Sequence, residues 1–397
     1  MSPSAPIPGT RAPDAHEEIL PEGRNSWQGL GGASLCRGDS RIWDDFVLQH
    51  AEPHAEQLCA WGRLRQGEGW DPWRLELRDS GRRILGGAQI LERRVGPGVK
   101  IGYVARGPLV AEGFERQDLV AEALAQVARR RRLSYLAVSL PYLAAGAVPS
   151  LEQAGFLRRP DTLPPSIGVK ATMVLDLGPE EERLFGGFRK SRRNEIRRGE
   201  RAGTTVRPGE ARDLEPFETL VEALCARRGV RSNMPGHHFA AKLWSELHPS
   251  GLAQLFVAEC RGELTSALMV LTGGAWARAW RIGWSGAHAN AFPTQVLFWE
   301  AIRWSRQKGY RHFEMVGFDL RDATELAAGR PAEAPYHCQV SYFKAGWGGR
   351  VLLLPGEFCY FPQPWIRAAL KIGGRRVLES RLLGRFLEAL HAHKSRR

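Results

Sequence analysis

The 397-residue chain lacks most of the patterns that announce a function at sight. Its six cysteines, Cys36, Cys59, Cys225, Cys260, Cys338 and Cys359, are scattered without C-x-x-C spacing. That excludes a zinc pattern or a disulfide framework and fits a reducing interior. No apolar run reaches the roughly 18 residues that span a bilayer. The N-terminus is Pro-rich and acidic, unlike a signal peptide. These absences predict a cytoplasmic protein, with at most peripheral contact with an anionic membrane. There is no Walker A loop, no H-E-x-x-H and no G-x-S-x-G. His237-His238 has no partners at ligand spacing, so no metal site is expected. Arg83-Ile-Leu-Gly-Gly-Ala88 fits the R-x-x-G-x-A form of acetyl-CoA pyrophosphate loops. It falls inside a β-hairpin, however, with no helix N-terminus after it to bind phosphate, so the match is taken as chance.

What the sequence does contain is an apparent duplication. Residues 73–91 read as strand, turn, strand; Lys100–Ala105 as a third strand; 117–131 as a helix; Leu136–Leu140 as the next strand. Residues 255–271, Arg278–Gly283, 294–307 and His312–Val316 repeat that order. Phe343-Lys-Ala-Gly-Trp347 echoes Gln153-Ala-Gly-Phe156. A fold unit present twice implies two α/β domains with mixed sheets and a cleft between them, where ligands bind. The expected division is a disordered or loosely attached leader over 1–38, one unit over 39–178, a second over 179–360 and a basic helical tail over 361–397. The tail's amphipathic pattern suits packing on the body or lying on an anionic lipid surface.

The formal net charge is +13. It implies either polyanionic partners or an evenly spread arginine excess, and local clustering decides between them. The densest cluster is Arg189, Lys190, Arg192, Arg193, Arg197 and Arg198. Guanidinium forks there suit a diphosphate or a tRNA backbone; the alternative is a solvated charged face. Phe185, Phe188, Arg192 and Ile196 fall about one helical turn apart. Lys344 lies among aromatics and glycines in Tyr342-Phe-Lys-Ala-Gly-Trp-Gly-Gly, as an oxyanion stabiliser or as a snorkelling lysine. Tyr103-Val-Ala-Arg106-Gly-Pro ends a strand, so Arg106 either faces the cleft or serves the turn. Asp319, at the matching strand end, is a cleft carboxylate or a helix cap. Arg228 belongs to another small cationic group.

Taken in order, Gln57-x-x-x-Trp61, Gly86-Gly-Ala-Gln89 leading to Tyr103-x-x-Arg-Gly-Pro108, Phe188-x-x-Ser-Arg-Arg193 with Ile196-Arg197, and Tyr342-Phe-Lys344 with Gly346 resemble the Fem family of peptidoglycan-bridge peptidyltransferases. The resemblance covers roughly residues 40 to 355. It implies two tandem GNAT-like (acyl-CoA N-acyltransferase-like) domains, an α/β fold class, and amide formation on an amine of a wall precursor. The donor would be an aminoacyl-tRNA ester, and no tightly bound cofactor is needed. It assigns charge stabilisation to Lys344, with Asp319 as a second catalytic candidate. Arg192, Arg193, Arg197 and Arg228, with Arg106 and Tyr103, would hold the precursor and its diphosphate. The long coiled-coil arm of some members is absent here, which leaves two other readings open. One is an acyl-CoA-dependent N-acyltransferase; the other is a non-catalytic nucleic-acid-binding protein.

Overall fold

The computed structural model describes residues 17–21, 30–159, 168–230, 232, 234, 236, 238–331, 335–364 and 366–367. The strands, in chain order, are β1 (Glu17–Leu20), β2 (Leu30–Cys36), β3 (Asp71–Asp79), β4 (Ile84–Gly96), β5 (Val99–Ala105), β6 (Leu109–Val110), β7 (Tyr135–Ser139), β8 (Leu157–Arg158), β9 (Ala171–Asp176), β10 (Thr204–Pro208), β11 (Ala253–Cys260), β12 (Glu263–Gly273), β13 (Trp276–Trp284), β14 (His312–Met315), β15 (Arg350–Leu353) and β16 (Glu357–Tyr360). The helices are α1 (Arg41–Gln49), α2 (Cys59–Gln66), α3 (Gln117–Arg130), α4 (Ala147–Gln153), α5 (Glu181–Gly186), α6 (Lys190–Arg201), α7 (Leu214–Arg227), α8 (Phe239–Leu247), α9 (Pro293–Gln307), α10 (Leu320–Ala327) and α11 (Gln339–Ala345).

Two mixed sheets result. The first runs β1-β2-β3-β4-β5-β7-β16-β8, with β6 paired to β4; the second runs β10-β11-β12-β13-β14-β9-β15. From β2 and from β10 onward the two orders correspond strand for strand, which is the duplication read from the sequence. The echo of residues 153–156 by 343–347 also has a structural basis. Each follows a short helix, α4 or α11, and leads into an edge strand, β8 or β15.

Two sequence expectations need correction. Residues 1–38 are not all a loose leader: Leu30–Cys36 pairs antiparallel with β3, and Glu17–Leu20 pairs with β2. A strand edge with unpaired N–H and C=O groups recruits whatever chain can satisfy them. The boundary at 178/179 does not follow the sheets either. β9 joins the second sheet, between β14 and β15, while β16 returns to the first, between β7 and β8. Each unit thus lends one strand to the other. The tail over 361–397 lies outside the described residues beyond its first few positions.

The helices follow from spacing. In α3, Leu119, Val120, Ala123, Leu124, Val127 and Ala128 recur at three and four and are all buried. Ser40 caps α1 by accepting from the Trp43 amide at 3.2 Å. In β4, a Cβ on Gly87 would stand 2.0 Å from the Leu75 carbonyl oxygen, so only glycine fits. Alternation in β11 separates two faces: Ala253, Leu255 and Val257 join one core with α7, α8 and α2, and Phe256 and Ala258 join another with α6 and α9. The first of these cores bridges the units. Trp61 of α2 meets Phe239 of α8 with ring centroids 6.0 Å apart, and Trp276 Nε1 donates to the Ala51 carbonyl at 2.8 Å.

Candidate active site

Each sheet holds one parallel junction, β5 with β7 and β13 with β14. In the first sheet the pairing runs through five rungs, from Ile101–Tyr135 to Ala105–Ser139. The Gly107 amide then donates to the Ser139 carbonyl at 3.1 Å, and Gln57 Nε2 donates to the Ala105 carbonyl. That junction is closed. In the second sheet only Trp276–His312, Ala277–Phe313 and Arg278–Glu314 pair. β13 continues to Trp284, with a bulge at Trp280 where Met269 opposes Arg281 and Val270 opposes Ala279. The chain leaving β14 turns away, so the carbonyls of Val316 and Gly317 lose their ladder partners.

Lys344 meets that need. Its Nζ donates to the Val316 carbonyl at 2.6 Å and to the Gly317 carbonyl. An ammonium has three N–H groups, so one remains beyond these two bonds. Burial, and then the nearby Arg228 guanidinium, pulls the Lys344 ammonium down to about 8; Glu314 and the Cys338 thiol oppose that shift.

A line of buried charge leads from Lys344 across to the first unit. The Glu314 carboxylate, 2 % exposed, accepts from Arg278 Nε at 2.8 Å, and Arg106 NH2 stands 3.8 Å from its other oxygen. Burial alone would raise the Glu314 carboxyl; Arg106, Arg278 and His54 overcome it and hold the group below the ordinary glutamate range. Two guanidinium groups share this one carboxylate, and Arg106 NH1 and Arg278 NH2 have no hydrogen-bond partner. Behind them His54 Nε2 pairs with Glu52 at 2.9 Å, and Glu52 accepts the Tyr142 and Leu143 amides at 3.1 and 2.7 Å. Burial, with Arg278 and Arg106, holds His54 well below the ordinary histidine range, so its ring is neutral. Burial first, then Glu357 and Glu56, raises the Tyr103 phenol, which stays protonated; Arg106 opposes that shift. Arg281 adds a further cation opposite Glu56.

The structure therefore gathers Tyr103, Arg106, Arg228 and Lys344 from the sequence-derived set. It does not gather the others. Asp319 caps α10, its side chain accepting from the Asp322 amide at 3.0 Å, which supports its reading as a cap rather than a cleft carboxylate. Helix α6 lies on the face of the second sheet away from the first unit, because its Ile196 packs with α9. Arg193 donates to the Gly186 carbonyl, and exposed Arg197 stacks over Phe185 with 5.2 Å to the ring centroid. Arg192 is 4 % exposed, donates to Glu195 at 2.7 Å and to the Phe343 carbonyl at 2.9 Å, and is not open to a diphosphate. Three site residues were missed: Arg278, Arg281 and Glu314. The signal was a charged residue inside an otherwise apolar strand, as in His312-Phe-Glu-Met-Val.

One group of potential metal ligands occurs among the described residues, Asp322 with Glu325 and His337. Arg330 pairs with both carboxylates, and Asp322 also accepts the His337 and Cys338 amides at 2.9 and 3.0 Å. The cluster's charge is already balanced by protein, and it anchors the start of α11. No helix of the described residues is long and apolar enough to cross a membrane.

Residues 186–325 match the family described as acetyltransferase (GNAT) domain. Over 229 residues the chain is 22% identical to the lipid II:glycine glycyltransferase of Staphylococcus aureus, covering 54% of this chain and 52% of that protein. The chain thus spans about half the length of the curated relatives it matches. Among solved structures, FemX superposes with a TM-score of 0.69 at 17% identity, over 82% of this chain and 97% of that one. The C-terminal domain of a putative lysylphosphatidylglycerol synthetase from Agrobacterium fabrum gives 0.50 at 13%, over 85% and 95%. Two units of one α/β design, a match to the GNAT domain within the second of them and likeness to FemX in chain trace give this chain a tandem GNAT-like fold.

Proposed function

We propose that the protein transfers an aminoacyl group from an aminoacyl-tRNA ester to an amine of a diphosphate-bearing cell-wall precursor. The observation that carries this reading is Lys344, an ammonium fixed at the opened end of β14, with the Arg106 and Arg278 guanidinium groups gathered on Glu314 of the same strand. The acceptor amine attacks the ester carbonyl carbon. Negative charge gathers on the carbonyl oxygen and is met by the remaining Lys344 N–H; such preorganised donors act where charge develops. Collapse keeps the new C–N bond and breaks the ester C–O bond. The ribose oxygen leaves with the proton that the attacking amine gives up. Arg106, Arg228 and Arg281, with Tyr103, offer the precursor's diphosphate a surplus of positive charge. The ester itself supplies the driving force, so no tightly bound cofactor is required. The name of the Staphylococcus aureus relative, a glycyltransferase acting on lipid II, supports the acceptor class. A lipid-linked acceptor would bring a cytoplasmic protein to the inner membrane face, where its basic charge favours anionic lipid.

A second reading, acyl-CoA as donor, is favoured by the description of the matched family. Against it, residues 285–292 between β13 and α9 contain no arginine or lysine, and no side chain caps α9. A donor screen separates the two. The purified chain is incubated with a diphosphate-linked muramyl peptide and either charged tRNAs or acyl-CoAs, and the product is weighed. The proposal requires one aminoacyl increment with charged tRNA and none with acyl-CoA; the opposite pattern would replace it.

A further inference from the structure

Lys344 sits on a helix too short to hold itself. α11 spans Gln339–Ala345, and isolated helices of this length are unstable in water. Its placement must come from its neighbours. At its start, the Cys338 amide donates to Asp322, and the Ser341 hydroxyl accepts from the Asp319 amide at 3.1 Å. At its end the last-turn carbonyls need donors. The Trp347 amide goes to the Lys344 carbonyl at 3.0 Å and the Gly346 amide to Tyr342 at 3.3 Å. The Phe343 carbonyl, adjacent to the catalytic lysine, receives Arg192 NH2 at 2.9 Å.

The Arg192 contact is more than a single bond. The guanidinium lies over Phe343 with 4.3 Å to the ring centroid and over Trp347 with 5.0 Å, the rings that flank Lys344 in sequence. NH1 is anchored to Glu195 on the same helix at 2.7 Å. A Cβ on Gly346 would stand 3.3 Å from both Nε and NH2, so glycine there lets the guanidinium lie flat against the turn. The Arg189 amide donates to the Gly346 carbonyl at 2.9 Å, and the Arg189 guanidinium stacks on Tyr342 at 4.3 Å. The beginning of α6 thus clasps the end of α11.

We propose that Arg192 is a positioning residue for Lys344, capping and stacking its helix so that the ammonium stays on the Val316 and Gly317 carbonyls, and that it is not a phosphate ligand. This rests on the reading of Lys344 as the charge-stabilising group. Lysine cannot replace Arg192 without loss, because it offers no planar fork to stack between two rings while bonding a carbonyl. Methionine fills the space but cannot cap.

The test uses full-length protein with 13C-labelled lysine, the Lys344 signal being assigned by its loss in Lys344→Arg. In the wild-type chain burial is expected to bring the Lys344 titration down to about 8. In Arg192→Met the ammonium is released to solvent, and its titration moves up by about one unit or more towards the ordinary lysine value. Under the same conditions kcat falls by about 10- to 100-fold, as misplaced catalytic groups do, while KM for the precursor changes by less than about threefold. Arg192→Lys lies between wild type and Arg192→Met in both readouts, and it supplies the result should the methionine variant not fold. An unchanged Lys344 titration would overturn the proposal. So would a raised KM with kcat retained, the mark of a lost phosphate ligand. If the wild-type chain transfers nothing, the proposed function fails, yet the titration still decides the role of Arg192.

Discussion

The β5–β7 and β13–β14 junctions occupy the same place in two sheets of the same strand order, and they have been finished differently. In the first, five rungs close the parallel pair, and Gln57 spans from the Ala105 carbonyl to the Gln89 amide, where its Oε1 accepts at 2.7 Å. In the second, pairing stops after Arg278–Glu314, and a charged lysine takes the place of the missing ladder bonds. Backbone bonds, ending with the Gly107 amide on the Ser139 carbonyl, close one copy, and an ammonium holds the freed carbonyls of the other. A duplicated unit can keep its frame while its two copies are finished differently; on the proposed function, the second copy takes the substrate and the first lends Arg106 and Tyr103. The match to the GNAT family over residues 186–325 alone is in keeping with that asymmetry.

The comparison can be broken at several points. The largest effect is expected from removing the carboxylate at the last rung of the open junction. Glu314→Ala leaves the Arg278 and Arg106 guanidinium groups buried without it, at a cost of about 3–5 kcal/mol in denaturant unfolding; a change below about 1 kcal/mol would show that this ion pair does not hold the junction. Lys344→Ala should lower the transfer rate by about 10²–10³-fold while circular dichroism reports the same fold. Gln57→Ala, between β4 and β5 of the first sheet, should cost about 1–3 kcal/mol in stability by stranding the Gln89 amide and the Ala105 carbonyl, with the transfer rate unchanged.

The smallest effect is on the pH profile. The active form of Lys344 is the ammonium, so transfer should decline as pH rises through about 8. Only about a tenth of the ammonium remains one unit above that value. The groups facing Lys344 are Glu314 from β14, Arg228 at the end of α7 and Cys338 at the start of α11. Arg228→Gln removes a like charge and should move the decline upward. A profile flat from pH 7 to 10 would contradict the role given to the ammonium.

Much of this frame was legible in the sequence. Helical spacing in 117–131 and 294–307, and strand alternation in the two hairpins, report burial directly, so the duplication could be read from them. The exchange of β9 and β16 could not, because Ala171–Asp176 has the same apolar character whichever sheet it joins; only long-range pairing decides. Leu30–Cys36 looked like loop because Leu-Gly-Gly-Ala-Ser-Leu-Cys has low strand propensity, and the β3 edge overrides it. Lys344 stood out as a cation among aromatics. The burial of Arg192 was also legible. Arg192 falls on one helical stripe with Phe188, Ile196 and Gly199, all buried, and a charge on the apolar stripe points inward.

The most direct measurement of the central claim is a single-turnover comparison of Lys344→Ala with Gln57→Ala, using the donor and precursor that the wild-type chain accepts. Loss of transfer by about two orders of magnitude or more in the first variant, with the second at the wild-type rate, is the result predicted by an open, lysine-held junction in the second sheet. Full transfer by Lys344→Ala, or its loss in Gln57→Ala, would contradict it.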